Sequence, residues 1–149
     1  MVKLDVVRGG FLGVDPDCIG DNEGNGFSLA GNYNRVYGNT AGKNIDDGFV
    51  VGEDGRGNIL DHNQSSENGD GDPADGFEIR GSDNLIKSNN ADHNWERGIY
   101  LTATARTNTV TDNAASRSAL VDLADDNAGC SSNGWTQNIF GTKSRACIR

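Results

Sequence analysis

Carboxylates that could do acid–base chemistry fall into two groups. In the first, Glu78 and Asp122 occupy matching positions of a recurring pattern, with Tyr100 at the matching position between them and Arg80 two residues beyond Glu78. If matching positions stack, Ser28, Val50, Glu78, Tyr100 and Asp122 form one outward column. Two strand spacings then put about 9–10 Å between the Glu78 and Asp122 backbones. That is near the separation of roughly 6.5–9.5 Å at which one carboxyl protonates a glycosidic oxygen while the other activates water. Glu78, Arg80, Tyr100 and Asp122 are therefore the catalytic candidates. The competing account is a polar solvent face with Glu78–Arg80 as an ordinary surface pair.

The second group is an acidic stretch. Residues 46–75 hold Asp46, Asp47, Glu53, Asp54, Asp61, Glu67, Asp70, Asp72 and Asp75 against Arg56 alone, which is nearly the whole net charge of −9. Register on Gly48 and Gly76 sets Asp47 beside Asp75. Carboxylates that close repel, so one is protonated or a cation sits among them. Asp46, Asp47, Asp70, Asp72 and Asp75 offer only oxygen ligands on a Gly-rich loop, a donor set that suits Ca²⁺, although the spacing is not that of an EF-hand. The alternative is a solvated acidic loop with Asp75 paired to Arg97. His62 and His93 fall at different positions of the pattern and read as turn residues. The three cysteines lack zinc spacing. No nucleophile elbow, phosphate loop or dinucleotide fingerprint is present.

What must position these groups is a repeat. Asparagines fall five residues apart in sets: Asn34, Asn39, Asn44; Asn58, Asn63, Asn68; Asn84, Asn89, Asn94; then Asn108, Asn113 and Asn133, Asn138. Two residues after the first Asn of each set stands an apolar residue: Val36, Leu60, Ile86, Val110, Trp135. Two residues after the second stands a mostly small one: Ala41, Ser65, Ala91, Ala115, Phe140. Strand-like segments begin at Gly26, Gly48, Gly76 and Gly98, with Phe27, Phe49 and Phe77 predicted to stack inside. Their spacing is 22, 28 and 22 residues, so one coil is six longer, an insertion placed in 69–75. A period of this size marks a solenoid whose coils bury a core only by stacking. Apolar positions come in twos between Asn and Gly, which excludes helices. Asn tolerates left-handed turns, and its amide can bond the same amide one coil away, forming a ladder at about the 4.8 Å strand spacing.

The Gly-Phe-x-(Val/Ile/Leu) and Asn-x-(Val/Ile)-x-x-Asn elements resemble the right-handed parallel β-helix repeats of pectate-lyase-like solenoids over about residues 26–140. The resemblance implies an all-β, single-stranded right-handed parallel β-helix of about five to six coils. It implies an extracellular or periplasmic setting, and a polysaccharide as ligand or substrate along the outer strand face. It implies Arg80 as the base if the chain is a lyase. Relatives that epimerise alginate carry Asp-Pro-His; here Asp15-Pro16-Asp17 has Asp in place of His, so that activity is not carried over. This fold hosts many activities, and the motifs specify the fold rather than the chemistry.

The chain reads as one domain, with an irregular first coil over 1–25, regular coils over 26–118, and a last coil with a C-terminal cap over 119–149. Within that last part Val121 and Leu123 are expected to face inward, and Trp135, Ile139 and Phe140 to close the apolar end. Net charge of −9 argues against nucleic acid, whose phosphates need Lys and Arg. It also argues against an anionic membrane surface, and no apolar run approaches a membrane span. The first residues do not read as a signal peptide. Cys130 and Cys147 could close a loop worth about 3 kcal/mol in the chain-entropy model, leaving Cys18 over. An uncovered first coil would be an open strand edge through which the chain could self-associate. Three functions stay open: a carbohydrate- or surface-partner-binding solenoid, a polysaccharide lyase or glycoside hydrolase, and a structural solenoid that self-associates.

Overall fold

The computed structural model describes residues 13–14, 18–21, 23–130 and 132–149. The first coil, with its expected role in self-association, lies largely outside the described residues. Every other coil runs through three short parallel strands, and stacking these makes three sheets along one axis. The first sheet contains Phe27–Leu29, Phe49–Val51, Phe77–Ile79, Arg97–Leu101 and Val121–Asp125. The second contains Gly13–Val14, Arg35–Tyr37, Ile59–Asp61, Leu85–Lys87, Thr109–Thr111 and Gly134–Thr136. The third contains Cys18–Gly20, Thr40–Gly42, Gln64–Ser66, Asn90–Asp92, Ala114–Ser116 and Ile139–Phe140. The protein is an all-β parallel solenoid, and no helix among the described residues is long and apolar enough to cross a membrane.

Each strand contributes one or two inward side chains, because successive residues alternate between faces. Phe27, Phe49 and Phe77 stack face to face with ring centroids 4.7 Å apart, the rise of one coil, and Ile99 and Leu123 continue the column. Val36, Leu60, Ile86, Val110 and Trp135 form the second column, and Ala41, Ser65, Ala91 and Ala115 line the third. All of them are buried.

The asparagines form three ladders through the corners. In each step a backbone N–H and the side-chain amide of one Asn donate to the Oδ1 of the Asn in the next coil. For Asn89 to Asn113 the distances are 2.8 and 3.1 Å. The same Nδ2 also donates to a main-chain carbonyl of the preceding coil, Leu60 O at 2.9 Å. The Asn39, Asn63, Asn89, Asn113, Asn138 ladder and the Asn34, Asn58, Asn84, Asn108, Asn133 ladder repeat this arrangement. Asn44, Asn68 and Asn94 make a third. An Asn fits because it can accept twice and donate twice in one plane, so a buried corner keeps its polar groups bonded.

One detail corrects the expected role of asparagine. The residue in the left-handed region is the one before the ladder Asn: Tyr33, Lys43, His62, Glu67, Asp83, Ser88, His93, Thr107, Asp112 and Gln137 have φ between 54° and 60°, and Gly38 and Gly57 hold the same place. The ladder Asn then aims its amide inward, and the preceding side chain projects from the corner. His62 and His93 are thus turn residues, as expected.

The longer coil divides its six extra residues between two corners. Asn68 to Gly76 spans eight residues, against four from Asn44 to Gly48 and from Asn94 to Gly98. Val51 to Asn58 spans seven, against five from Leu29 to Asn34. The insertion in 69–75 is therefore real but shorter than expected.

The C-terminal end is closed by the tail. Ile148 is fully buried, whereas Ile139, expected to help close the end, is 76% exposed. Asn138 donates its main-chain N–H and its Nδ2 to Arg149 O, and Arg145 reaches Asp125 O. Cys147 is disulfide-bonded; the side chain of Cys130, its expected partner, lies outside the described residues.

Candidate functional site

The two groups of acids singled out in the sequence merge on the first sheet, with one member displaced. Tyr100 pairs in register with Glu78, as expected, but its partner in the following coil is Ala124; Asp122 stands opposite Gly98. The last strand enters two residues later than the 22-residue spacing predicts, and no Gly marks its start. Asp122 is buried and holds the cap. Its Oδ1 accepts the Ser118 N–H, and its Oδ2 accepts the N–H groups of Gly141 and Thr142 and the Thr142 hydroxyl. It is an anchor and cannot face a substrate with Glu78.

Asp47 takes the place expected of Asp122. It stands in the turn before Phe49–Val51, near enough to Glu78 of the next coil for that carboxyl to raise its ionisation. Burial pushes its carboxyl up to about 7; the Asp75 N–H that it accepts at 2.6 Å pulls the other way, and the Glu78 charge adds to the rise. Glu78 is in turn held by Arg80, whose Nε donates to its Oε2 at 2.8 Å. The result is a carboxyl with a raised ionisation, Asp47, near Glu78 and its Arg80 guanidinium.

A second charged group adjoins it. Asp75 lies one coil above Asp47, is 3% exposed, and accepts both the main-chain N–H and the Nε of Arg97 on Oδ1, at 3.0 and 2.9 Å. Burial drives its carboxyl up to about 8 against the attraction of Arg97, with Asp47 and Glu96 adding repulsion. Arg97 also meets Glu96 at 2.6 Å and lies 3.6 Å over the Tyr100 ring. The Tyr100 hydroxyl donates to Asp126 at 2.6 Å; burial and that carboxylate push its ionisation up to about 12. Tyr100 is therefore a poor base and a firm platform for Arg97.

The calcium arrangement does not form. Among the described residues no three of His, Cys, Asp and Glu come together as metal ligands. Asp75 is turned to Arg97, Asp47 to Glu78, and Asp46, Asp70 and Asp72 are exposed. The acids close in sequence are spread by the turn between Gly69 and Gly71, both at φ near 90°.

A concavity lies at the neighbouring corner, a groove of about 590 Å³ lined by Asp21, Lys43, Glu67, His93, Gly69, Asp70 and Trp95. Its floor is one left-handed corner repeated over four coils. Asp21, Lys43, Glu67 and His93 all have φ of 54–57°, and each N–H bonds the carbonyl of the coil above. Trp95 follows the ladder residue Asn94 and leans over Gly69, where an added Cβ would meet the Trp95 Cβ at 2.6 Å. Its ring side is open, with the residue 54% exposed. Ile45, one residue after Asn44, and Leu120, two after Ser118, are exposed at the same corner. Trp95 leads through Glu96 directly to Arg97, so groove and charged face are contiguous. Sequence reasoning missed Trp95. The signal was available: a residue next to a ladder Asn sits on a corner, and a large aromatic placed there faces solvent.

Comparison with family models matches residues 17–142 to the right-handed beta helix region, and the chain belongs to that family. Comparison with curated proteins and with solved structures returns no match.

Proposed function

We propose that the protein binds a carbohydrate chain along the corner marked by Trp95. The observation that carries this is an exposed tryptophan lining a groove of charged and polar side chains. Such a groove offers a flat apolar face to a sugar ring and hydrogen-bond partners to its hydroxyls. The groove crosses four coils, or roughly 14 Å at one strand spacing per step, which suits an oligosaccharide better than a single sugar. The chain has two tryptophans, and Trp135 is buried in the core. Fluorescence therefore isolates the event: glycan titration should shift or quench the Trp95 component, and Trp95→Ala should lose the response and at least tenfold in affinity. Binding undiminished in Trp95→Ala would refute the assignment.

A second reading is favoured by one observation, the Asp47–Glu78 pair. A carboxyl whose ionisation is raised to about 7, Asp47, next to Glu78 and Arg80, is suited to general acid–base work on a bound polysaccharide. On this reading the chain is a glycoside hydrolase or lyase with Asp47, Glu78 and Arg80 as the working groups. Reducing-end release over neutral and uronate polysaccharides tests it. Release that Glu78→Gln and Asp47→Asn leave untouched would remove both residues from the chemistry.

A further inference from the structure

Resting on the binding reading, we infer that the groove takes a cationic glycan, a polymer of amino sugars with free ammonium groups, in preference to a neutral or uronate chain. The reason is the balance of charges along the path. Asp21, Glu67 and Asp70 line the groove with Lys43, and His93 is turned to Asp92 at 2.9 Å. Carboxylates therefore exceed the lysine there by two. The loop that forms one wall adds Asp72, and Asp46 lies beside the exposed Ile45.

The cations nearby are committed. Arg80 bonds Glu78, Arg97 is held between Asp75 and Glu96, and Arg117 bonds Asp92. A uronate would bring a negative charge to every sugar and find Lys43 as its partner in the groove. A chain of ammonium-bearing sugars would place its charges against Asp21, Glu67 and Asp70 while one ring lies on Trp95. Each such contact is charge-assisted, stronger than the neutral hydrogen bond an acetylated sugar would make in its place. The carboxylates stand on backbone fixed by the coil-to-coil ladder, so little order has to be imposed on binding.

Calorimetric titration with three oligomers of equal length tests this: glucosamine, N-acetylglucosamine and galacturonate, below neutral pH so that the amino groups carry protons. The glucosamine oligomer should bind about tenfold tighter than its acetylated form at low salt, with the gap closing as salt is raised, and the galacturonate oligomer should not bind. A Glu67→Gln, Asp70→Asn double variant should weaken the glucosamine oligomer more than the acetylated one and so close the gap. Trp95→Ala should weaken both. Equal affinity for the two glucosamine chains, or a preference for galacturonate, overturns the inference and leaves the binding reading intact. Glucosamine binding indifferent to Trp95→Ala also overturns it, since diffuse attraction to an acidic surface would then account for the result. Silence from all three chains overturns the inference, and loss of any glycan response over a wider panel overturns the reading beneath it.

Discussion

Two columns of side chains climb this solenoid by the same step and are built to opposite ends. In the asparagine ladders every rung is the same neutral residue, and amides in the middle of a ladder, such as Asn63 and Asn89, are bonded above and below. Beside the first sheet, Asn25, Asp47, Asp75 and Arg97 also stack coil on coil. Asp47 donates its N–H to Asn25 Oδ1 at 3.0 Å, Asp75 to Asp47 Oδ1, and Arg97 to Asp75 Oδ1. The polarity is reversed: here the later coil donates to the earlier side chain, whereas in the ladders the earlier coil donates to the later one. Two rungs have lost the amide donor and gained a charge. An amide ladder satisfies itself; a carboxylate ladder leaves oxygens that must find a proton, a cation or a ligand. The uniform columns hold the fold, and the irregular one places titratable groups at its surface.

The largest effect should come from breaking a uniform ladder. Asn89→Ala strips the acceptor from Asn63 N–H and Nδ2 and the donor from Leu60 O, all buried. At about 1–3 kcal/mol per orphaned group, the loss should reach about 3 kcal/mol or more, seen as a lower midpoint in urea. A cost under 1 kcal/mol would mean the ladder is passive.

Next is the charged column at its most buried pair. Arg97→Met leaves Asp75 without its cation. Loss of one partner from a buried pair costs roughly 3–5 kcal/mol when the other stays charged, but Asp75 can escape by taking a proton. The cost should therefore be small near pH 6 and rise to about 2 kcal/mol above pH 8. A cost independent of pH would show that Asp75 stays ionised throughout.

Asp47→Asn should act in the opposite direction. Folding raises the Asp47 carboxyl to about 7 from its ordinary 3.8. The folded state thus binds more protons between those values, and stability falls as pH rises from about 4 to about 7. The amide keeps an oxygen for the Asp75 N–H and donates to Glu78. The variant should gain on the order of 1–2 kcal/mol at pH 8, where a shift of one unit is worth about 1.4 kcal/mol, and be near parity at pH 4. A variant less stable than the parent at pH 8 would contradict the raised carboxyl.

The smallest effect should come from the corner. Trp95→Ala removes an exposed ring and should shift stability by no more than about 0.5 kcal/mol. A large loss on thermal melting would make Trp95 a packing residue and weaken its case as a binding platform.

The sequence by itself determined the coil. Asn at five-residue spacing, with an apolar residue two positions on, forces a corner whose amide stacks on its own copies. A short-range rule repeated in register is enough to give the sheets, the Phe27–Phe49–Phe77 column and the outward place of Glu78, Arg80 and Tyr100. The pairing of Asp75 with Arg97 was also open to that reasoning, since each lies one residue before a recurrent Gly, Gly76 and Gly98. The tertiary structure decided what the repeat leaves free. It moved Asp122 out of the face, because the last coil has no Gly to set its register. It kept the five calcium candidates, Asp46, Asp47, Asp70, Asp72 and Asp75, from gathering, with Gly69 and Gly71 turning the loop between them. It brought Asp47 to Glu78 across coils and left Trp95 open over Gly69. Register propagates along a ladder one hydrogen bond at a time and is written in local spacing. The proton balance of a carboxyl depends on how deeply it is buried and which charges lie across the gap, and neither is fixed until the coils have stacked.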